Sequence, residues 1–152
     1  SCCACRITND TLRDTRRFLE HAISGFGYSQ LTPEQDLIGW RILDESDHYT
    51  GFYQSECEGQ TGRDVIFGGA SFGDRTLRIT GKVSAESGSA LLRIRMNEEV
   101  LEIPLTEDTF ETECNLESGG NYIMICYQDF TGHVEMSSSE LPVCQKGWGK
   151  RP

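Results

Sequence analysis

Nowhere do apolar residues run on for the ~18 positions that a membrane-crossing helix requires, so the sequence contains no such span. Positive charge is also scarce, with 14 Lys and Arg against 24 Asp and Glu and a net charge of −10. That balance excludes a general nucleic-acid binder, whose affinity comes from basic groups that displace counterions from phosphate. Catalytic signatures are missing. There is no Gly-x-Ser-x-Gly elbow, and the glycines at 59–64 and 67–71 have neither the lysine nor the following helix of a phosphate loop, so they read as turn and bulge chemistry. His21, His48 and His133 stand at no metal-ligand spacing. His133-Val-Glu135 with Pro142-Val-Cys144 has the outline of a zinc-deaminase signature, but the second cysteine is absent. The expectation is a protein without enzymatic activity, cofactor or metal centre. An initiator methionine is missing too, which reads as processing or as a shortened chain.

What is present suits one folded domain with extensions. The 152 residues are 37% hydrophobic and 25% charged, as in a globular protein with a sizeable core. Seven cysteines are many for this length. Such usage leans towards an oxidising, extracytoplasmic compartment, with buried structural thiols as the alternative.

The segment Tyr122 to Tyr127 is rich in β-branched, aromatic and long apolar residues and follows the double glycine at 119–120, so it reads as a strand. Tyr122, Met124 and Cys126 take one face and Ile123, Ile125 and Tyr127 the other, and neither face is polar. The strand is therefore central and covered on both sides. Around it, apolar and polar residues alternate at 52–57, 64–67, 76–83, 90–96, 100–105 and 110–116, with a last strand at Val134 and Met136. Leu77, Ile79, Gly81 and Val83 oppose Arg78, Thr80 and Lys82; Leu92, Ile94 and Met96 oppose Arg93 and Arg95. Asn97-Glu98 supplies a turn. Seven or eight short strands spaced roughly ten residues apart, each with one apolar face, predict a mainly β protein, an antiparallel β-sandwich.

Ahead of it the period is helical. Leu12, Leu19, Ala22, Ile23 and Phe26 recur at helix spacing after a cap at Asn9 or Asp10, which predicts an amphipathic helix over 10–24 packed on the sandwich. Thr32-Pro-Glu-Gln35 is a second helix-start signal. The polar run 44–48 is the expected border, dividing a leader, helix and connector (1–48) from the sandwich (49–141) and a C-terminal tail (142–152).

Residues 49–139 resemble the immunoglobulin-like β-sandwich domains of secreted and lipid-anchored bacterial surface proteins, through Ser-Gly-Gly-Asn-Tyr-Ile-Met-Ile at 118–125 and Leu-Arg-Ile-Arg-Met at 92–96. More narrowly, 62–71 together with 119–124 is similar to lipoproteins of gut Firmicutes, a family without an assigned activity. Ser-Cys-Cys-Ala-Cys at 1–5 is similar to a lipoprotein cleavage site with Cys2 as the lipidated residue; a cysteine cluster holding metal is the alternative, and it lacks the spacing. Cys114 and Cys126, on successive strands, are the first-choice disulfide, with two buried thiols as the alternative. Arg78, Lys82, Arg93 and Arg95 form a basic ladder that is either a site for an anionic ligand or a set of cross-strand partners for Glu102, Glu111 and Glu113. The resulting expectation is a non-catalytic binding or spacer module on the bacterial cell surface, tethered by lipid, facing an extracellular ligand; the runner-up is a structural subunit assembling with copies of itself.

Overall fold

The computed structural model describes residues 30–45 and 47–142. The stretch 10–24, Cys2 with its neighbours, and the tail from 143 lie outside the described residues. A compact unit begins at Leu31, and its described part is almost wholly antiparallel β-structure. None of its helices is long and apolar enough to cross a membrane.

Only a 3₁₀ turn, Glu34–Asp36, forms after the Thr32-Pro signal. The reason is local competition for the capping residue. The Thr32 hydroxyl accepts the Val65 N–H at 2.8 Å, and the Thr32 amide donates to the Val65 carbonyl at 3.0 Å. The cap thus closes a strand edge that would otherwise be open to pairing.

Six strands follow: β1 Trp40–Asp44, β2 Asp47–Ser71, β3 Arg75–Met96, β4 Glu99–Pro104, β5 Thr109–Leu116 and β6 Gly119–Leu141. The run 44–48 is not a border. It is the turn of the β1–β2 hairpin, with Asp44 paired to Asp47 and the Thr50 hydroxyl donating to the Asp44 carboxylate. The sheet therefore starts before residue 49.

Short strands were expected where three long ones occur. β2, β3 and β6 each continue through a bend, marked by register shifts at Cys57/Gln60, Gln60/Gly62, Ala85/Ser87 and Ser87/Ser89. Bulges bend a strand without ending its pairing. Each long strand thus serves two layers. One layer has five strands in the order β1, β2 (47–57), β6 (132–141), β3 (75–85), β5; the other has four, β2 (60–71), β6 (119–130), β3 (87–96), β4. One folded-over sheet replaces the two separately wound sheets that an immunoglobulin-like order implies.

The alternation in sequence sets what lies between the layers. Leu77, Ile79, Val83, Val134 and Met136 from one layer share a core with Phe67, Leu92, Ile94, Ile123 and Ile125 from the other. Burying each such side chain contributes roughly 1.5–3 kcal/mol. Tyr122, Met124 and Cys126, on the opposite face of β6, are buried as well. Asn97 holds the β3–β4 turn in left-handed conformation (φ 57). Its side-chain oxygen accepts the Gly120 N–H at 3.1 Å, and a Cβ on Gly119 would lie 2.0 Å from that oxygen, which explains the first glycine of the pair before β6.

At one end of the five-stranded layer the interior strands β2, β3 and β6 are tied by ion pairs from Arg75 to Asp47 and Glu140. Arg75 donates to both Asp47 carboxylate oxygens at 3.1 and 2.6 Å and lies 4.4 Å from the centre of the Tyr49 ring. Burial pushes the Asp47 carboxyl up, but the bonds from Arg75 and the Tyr49 backbone outweigh it, and the net shift is below its ordinary 3.8. A lowered native value stabilises the fold at pH above the unfolded value, and that contribution is lost as pH falls through the native value. The melting difference between wild type and Asp47→Asn should therefore be full at neutral pH and shrink below about pH 4, as followed by thermal denaturation.

Candidate functional site

Registers across the five-stranded layer place residues far apart in the chain in common rows on its outer face. One row runs Ile42, Phe52, Ser137, Thr80, Glu111, and the next runs Trp40, Gln54, Glu135, Lys82, Thr109. The β1 end of this face is apolar, with Trp40 53% and Ile42 55% exposed. Trp40 and Phe52 meet edge to face, ring centroids 6.0 Å apart and planes at 78°. Phe52 also walls an open trough of about 380 Å³, floored by Gly81 and bordered by Thr80, Lys82, Glu111, Glu135 and Ser137. Beyond Trp40 lies a second hollow of about 390 Å³, bordered by Ile38, Gly39, Gln54 and Glu56.

Trp40 is exposed but its backbone is anchored. Asp64 is fully buried and accepts the N–H groups of Ile38 at 2.8 Å and Gly39 at 2.9 Å, the two residues leading into Trp40. The Tyr53 hydroxyl donates to the same carboxylate at 2.6 Å. A Cβ at Gly39 would lie 2.7 Å from the Tyr53 ring and 2.5 Å from the Gln54 carbonyl oxygen, so only glycine passes there. On the other side of Trp40, buried Arg41 donates to the carbonyls of Thr32, Val65 and Ile66 at 2.7, 3.2 and 3.1 Å.

The Asp64 anchor continues inward. Tyr53 and Tyr127 hydroxyls lie 2.8 Å apart, Ser55 is 2.7 Å from Tyr127, and Cys57 donates weakly to Ser55 at 3.7 Å. With the carboxylate at one end, each hydroxyl can pass its proton direction along the chain, which strengthens the series. Burial raises the Tyr53 and Tyr127 hydroxyls well above the usual phenol range, and for Tyr53 the neighbouring Tyr127 and Asp64 add to the effect. Both stay neutral donors. The chain links the layers through side chains that are almost wholly buried.

The four basic candidates are not brought together. Arg78 and Lys82 are on the outer face just described, whereas Arg93 and Arg95 belong to the other layer. Arg78 lies 3.2 Å from Glu111 and 3.5 Å from Glu113. Arg93 is 1% exposed and 3.5 Å from Glu102, its cross-strand neighbour, and Arg95 lies over the Tyr122 ring at 5.0 Å. His133, on the next row, has its two ring nitrogens 3.0 Å from Glu56 and 3.0 Å from Glu135. Among the described residues no group of three or more His, Cys, Asp and Glu side chains is arranged to hold a metal ion.

The Cys114–Cys126 disulfide is not formed. Cys114 sits opposite Leu77 in the five-stranded layer and points into the core, while Cys126 sits opposite Leu91 and Arg63 in the four-stranded layer on the face away from it. The chain changes layer between β5 and β6, which separates two residues that adjacency in sequence suggested would meet. Burial pushes the Cys114 thiol up to about 11, and the thiolate is the reactive form. Cys114 should therefore resist iodoacetamide at pH 8 in the native protein and react on denaturation, as read by peptide mass.

Sequence reasoning missed the outer face itself. Trp40 and Ile42 alternate with Arg41 and Leu43, a signal for a strand, but nothing in that pattern says which side is left open.

No family model matches the chain, and no curated protein matches it. Among solved structures, BiXyn10A CBM1 in its apo form is 13% identical, with TM-score 0.39 over 68% of this chain and 88% of that one. The carbohydrate-binding module CBM6cm-2 from Cellvibrio mixtus lichenase 5A, in complex with cellotriose, is 12% identical, with TM-score 0.37 over 76% and 93%. A secreted serine protease from Vibrio cholerae, VesC, is 11% identical, with TM-score 0.38 over 70% of this chain and 22% of that one. Likeness this shallow leaves the ligand of this chain to be read from its own residues.

Proposed function

We propose that this chain is a non-catalytic module that binds carbohydrate outside the cell, on the outer face of the five-stranded layer. One observation carries the reading: exposed Trp40, edge to face with half-buried Phe52 and with exposed Ile42 beside it, continues directly into rows of hydroxyl, amide, carboxylate and ammonium side chains. A sugar ring is amphipathic in the same way. Its axial C–H groups pack on an aromatic face, and its equatorial hydroxyls need donors and acceptors around the edge. Thr80, Ser137 and Gln54 supply both functions, Glu111 and Glu135 accept, and Lys82 donates.

A lipid on Cys2 would tether the module to a bacterial surface, in keeping with the leader's resemblance to a lipoprotein cleavage site. Intact mass of protein from its native source decides this: a diacylated chain beginning at Cys2 supports the tether, and an unmodified Cys2 removes it. Affinity electrophoresis against a panel of immobilised soluble polysaccharides tests the binding function. Retardation by at least one polymer that is lost in Trp40→Ala is the expected result; no retardation by any polymer sinks the reading.

A second copy of the chain is the competing occupant, because among the described residues β1 is an edge strand whose exposed Trp40 and Ile42 flank a backbone edge without a partner strand. Sedimentation at micromolar concentration separates the two readings, since a stable dimer that Trp40→Ala dissociates would favour self-assembly.

A further inference from the structure

Resting on the carbohydrate reading, we infer that the ligand is an uncharged polysaccharide laid across the strands as an extended chain, spanning both hollows with Trp40 and Phe52 between them, and that acidic glycans are refused. Geometry supplies the length. The trough reaches from Glu111 on β5 to Phe52 on β2, and the second hollow continues past Trp40 to Ile38 and Glu56. Five neighbouring strands at about 4.8 Å spacing make a path of roughly 19 Å, which accommodates several linked rings. Both hollows open onto the same outer face, so the site suits the interior of a chain rather than one sugar terminus.

Charge supplies the class. Along these rows the outer face carries Glu56, Glu111, Glu113 and Glu135 against Arg78 and Lys82. Arg78 is already engaged by Glu111 and Glu113, and His133 stands between Glu56 and Glu135. A uronate or sulfate placed here meets carboxylates at short range, with Lys82 as the one uncommitted cation on this face among the described residues for compensation. Hydroxyl donors meet the same carboxylates as acceptors, which is a favourable charge-assisted pairing. The anionic-ligand role considered for the basic ladder is thereby inverted: the ladder is neutralised from within the sheet, and the face is net acidic on a protein of net charge −10.

The test is titration calorimetry of the full chain with neutral β-linked glucan, xylan, mannan and galactan oligomers of increasing length, and with polygalacturonate. Affinity should rise with length until the path is filled, the longest oligomer of the preferred series binding at least about tenfold tighter than its disaccharide, about 1.4 kcal/mol. Borohydride reduction of the terminal ring should leave the affinity of that oligomer unchanged, and added salt should hardly move it. The double variant Glu111→Gln, Glu135→Gln should gain affinity for polygalacturonate. A disaccharide as tight as the long oligomer, loss of binding on reducing the chain end, or polygalacturonate as the tighter ligand of the wild type would each overturn this inference while leaving carbohydrate binding intact. Failure of every polymer to bind would overturn the underlying reading instead.

Discussion

Replacing Trp40 by alanine should weaken polysaccharide binding by roughly thirtyfold, about 2 kcal/mol, the scale on which buried aromatic anchors act in interfaces. The same change should hardly disturb folding. Trp40 is more than half exposed, and its aromatic neighbour among the described residues is Phe52, an edge contact whose loss costs roughly 0.5–1.5 kcal/mol. The separation of the two effects is the informative part, because a core aromatic would show the opposite pattern. Val100→Ala provides the control: Val100 is also exposed but sits on β4 in the other layer, so its truncation should leave affinity unchanged. Calorimetric titration and thermal melting of both variants check the prediction. Equal losses of affinity in Trp40→Ala and Val100→Ala would show that binding does not use the outer face of the five-stranded layer.

Asp64→Ala should cost stability instead, by about 3 kcal/mol or more. The carboxylate has no exposure and serves three donors, the amides of Ile38 and Gly39 and the Tyr53 hydroxyl. Bonds to a charged acceptor contribute about 1.5–3 kcal/mol each in net terms, and the Tyr53 hydroxyl left behind adds a desolvation penalty. Asp64→Asn keeps shape and one acceptor and should lose about half as much. Since total stability is of order 5–15 kcal/mol, the alanine variant approaches the limit at which a domain of this size stays folded. Urea unfolding gives the answer, as a lower midpoint at unchanged slope. Tyr53→Phe combined with Asp64→Ala should be clearly less destabilising than the sum, because the second change removes the group that the first leaves unpaired. Additive losses would mean that the two do not act as one network. Asp64→Asn should also weaken the ligand, without touching it, by loosening the backbone that carries Trp40.

Much of this protein was present in local pattern. The alternation of Leu77, Ile79 and Val83 with Arg78, Thr80 and Lys82 states which side of a strand is buried, because side chains change face at every residue whatever the partner strand is. The doubly apolar run at 122–127 states that its strand is central, and Asn97-Glu98 states a turn. These are properties of a few consecutive residues.

What only the tertiary structure decided is where those faces go. The bends near 57–62, 85–89 and 128–132 move the chain from one layer to the other and switch the inward positions, from Leu77, Ile79 and Val83 to Ala90, Leu92 and Ile94 along β3, so Arg78 and Arg93, alike in sequence, end on different layers, one exposed and one buried beside Glu102. Cys114 and Cys126 diverge because β5 pairs with the first half of β3 and the start of β6 with its second half. The candidate site depends on register most of all: Phe52 faces Ser137 and Thr80 faces Glu111 through pairings between strands separated by tens of residues, which no local window contains. Even Asp64, whose sequence neighbourhood reads as turn chemistry, becomes the buried anchor of Trp40 only because β1 returns to lie against β2. Local alternation determined which side chains are inward, and long-range register determined which outward ones meet.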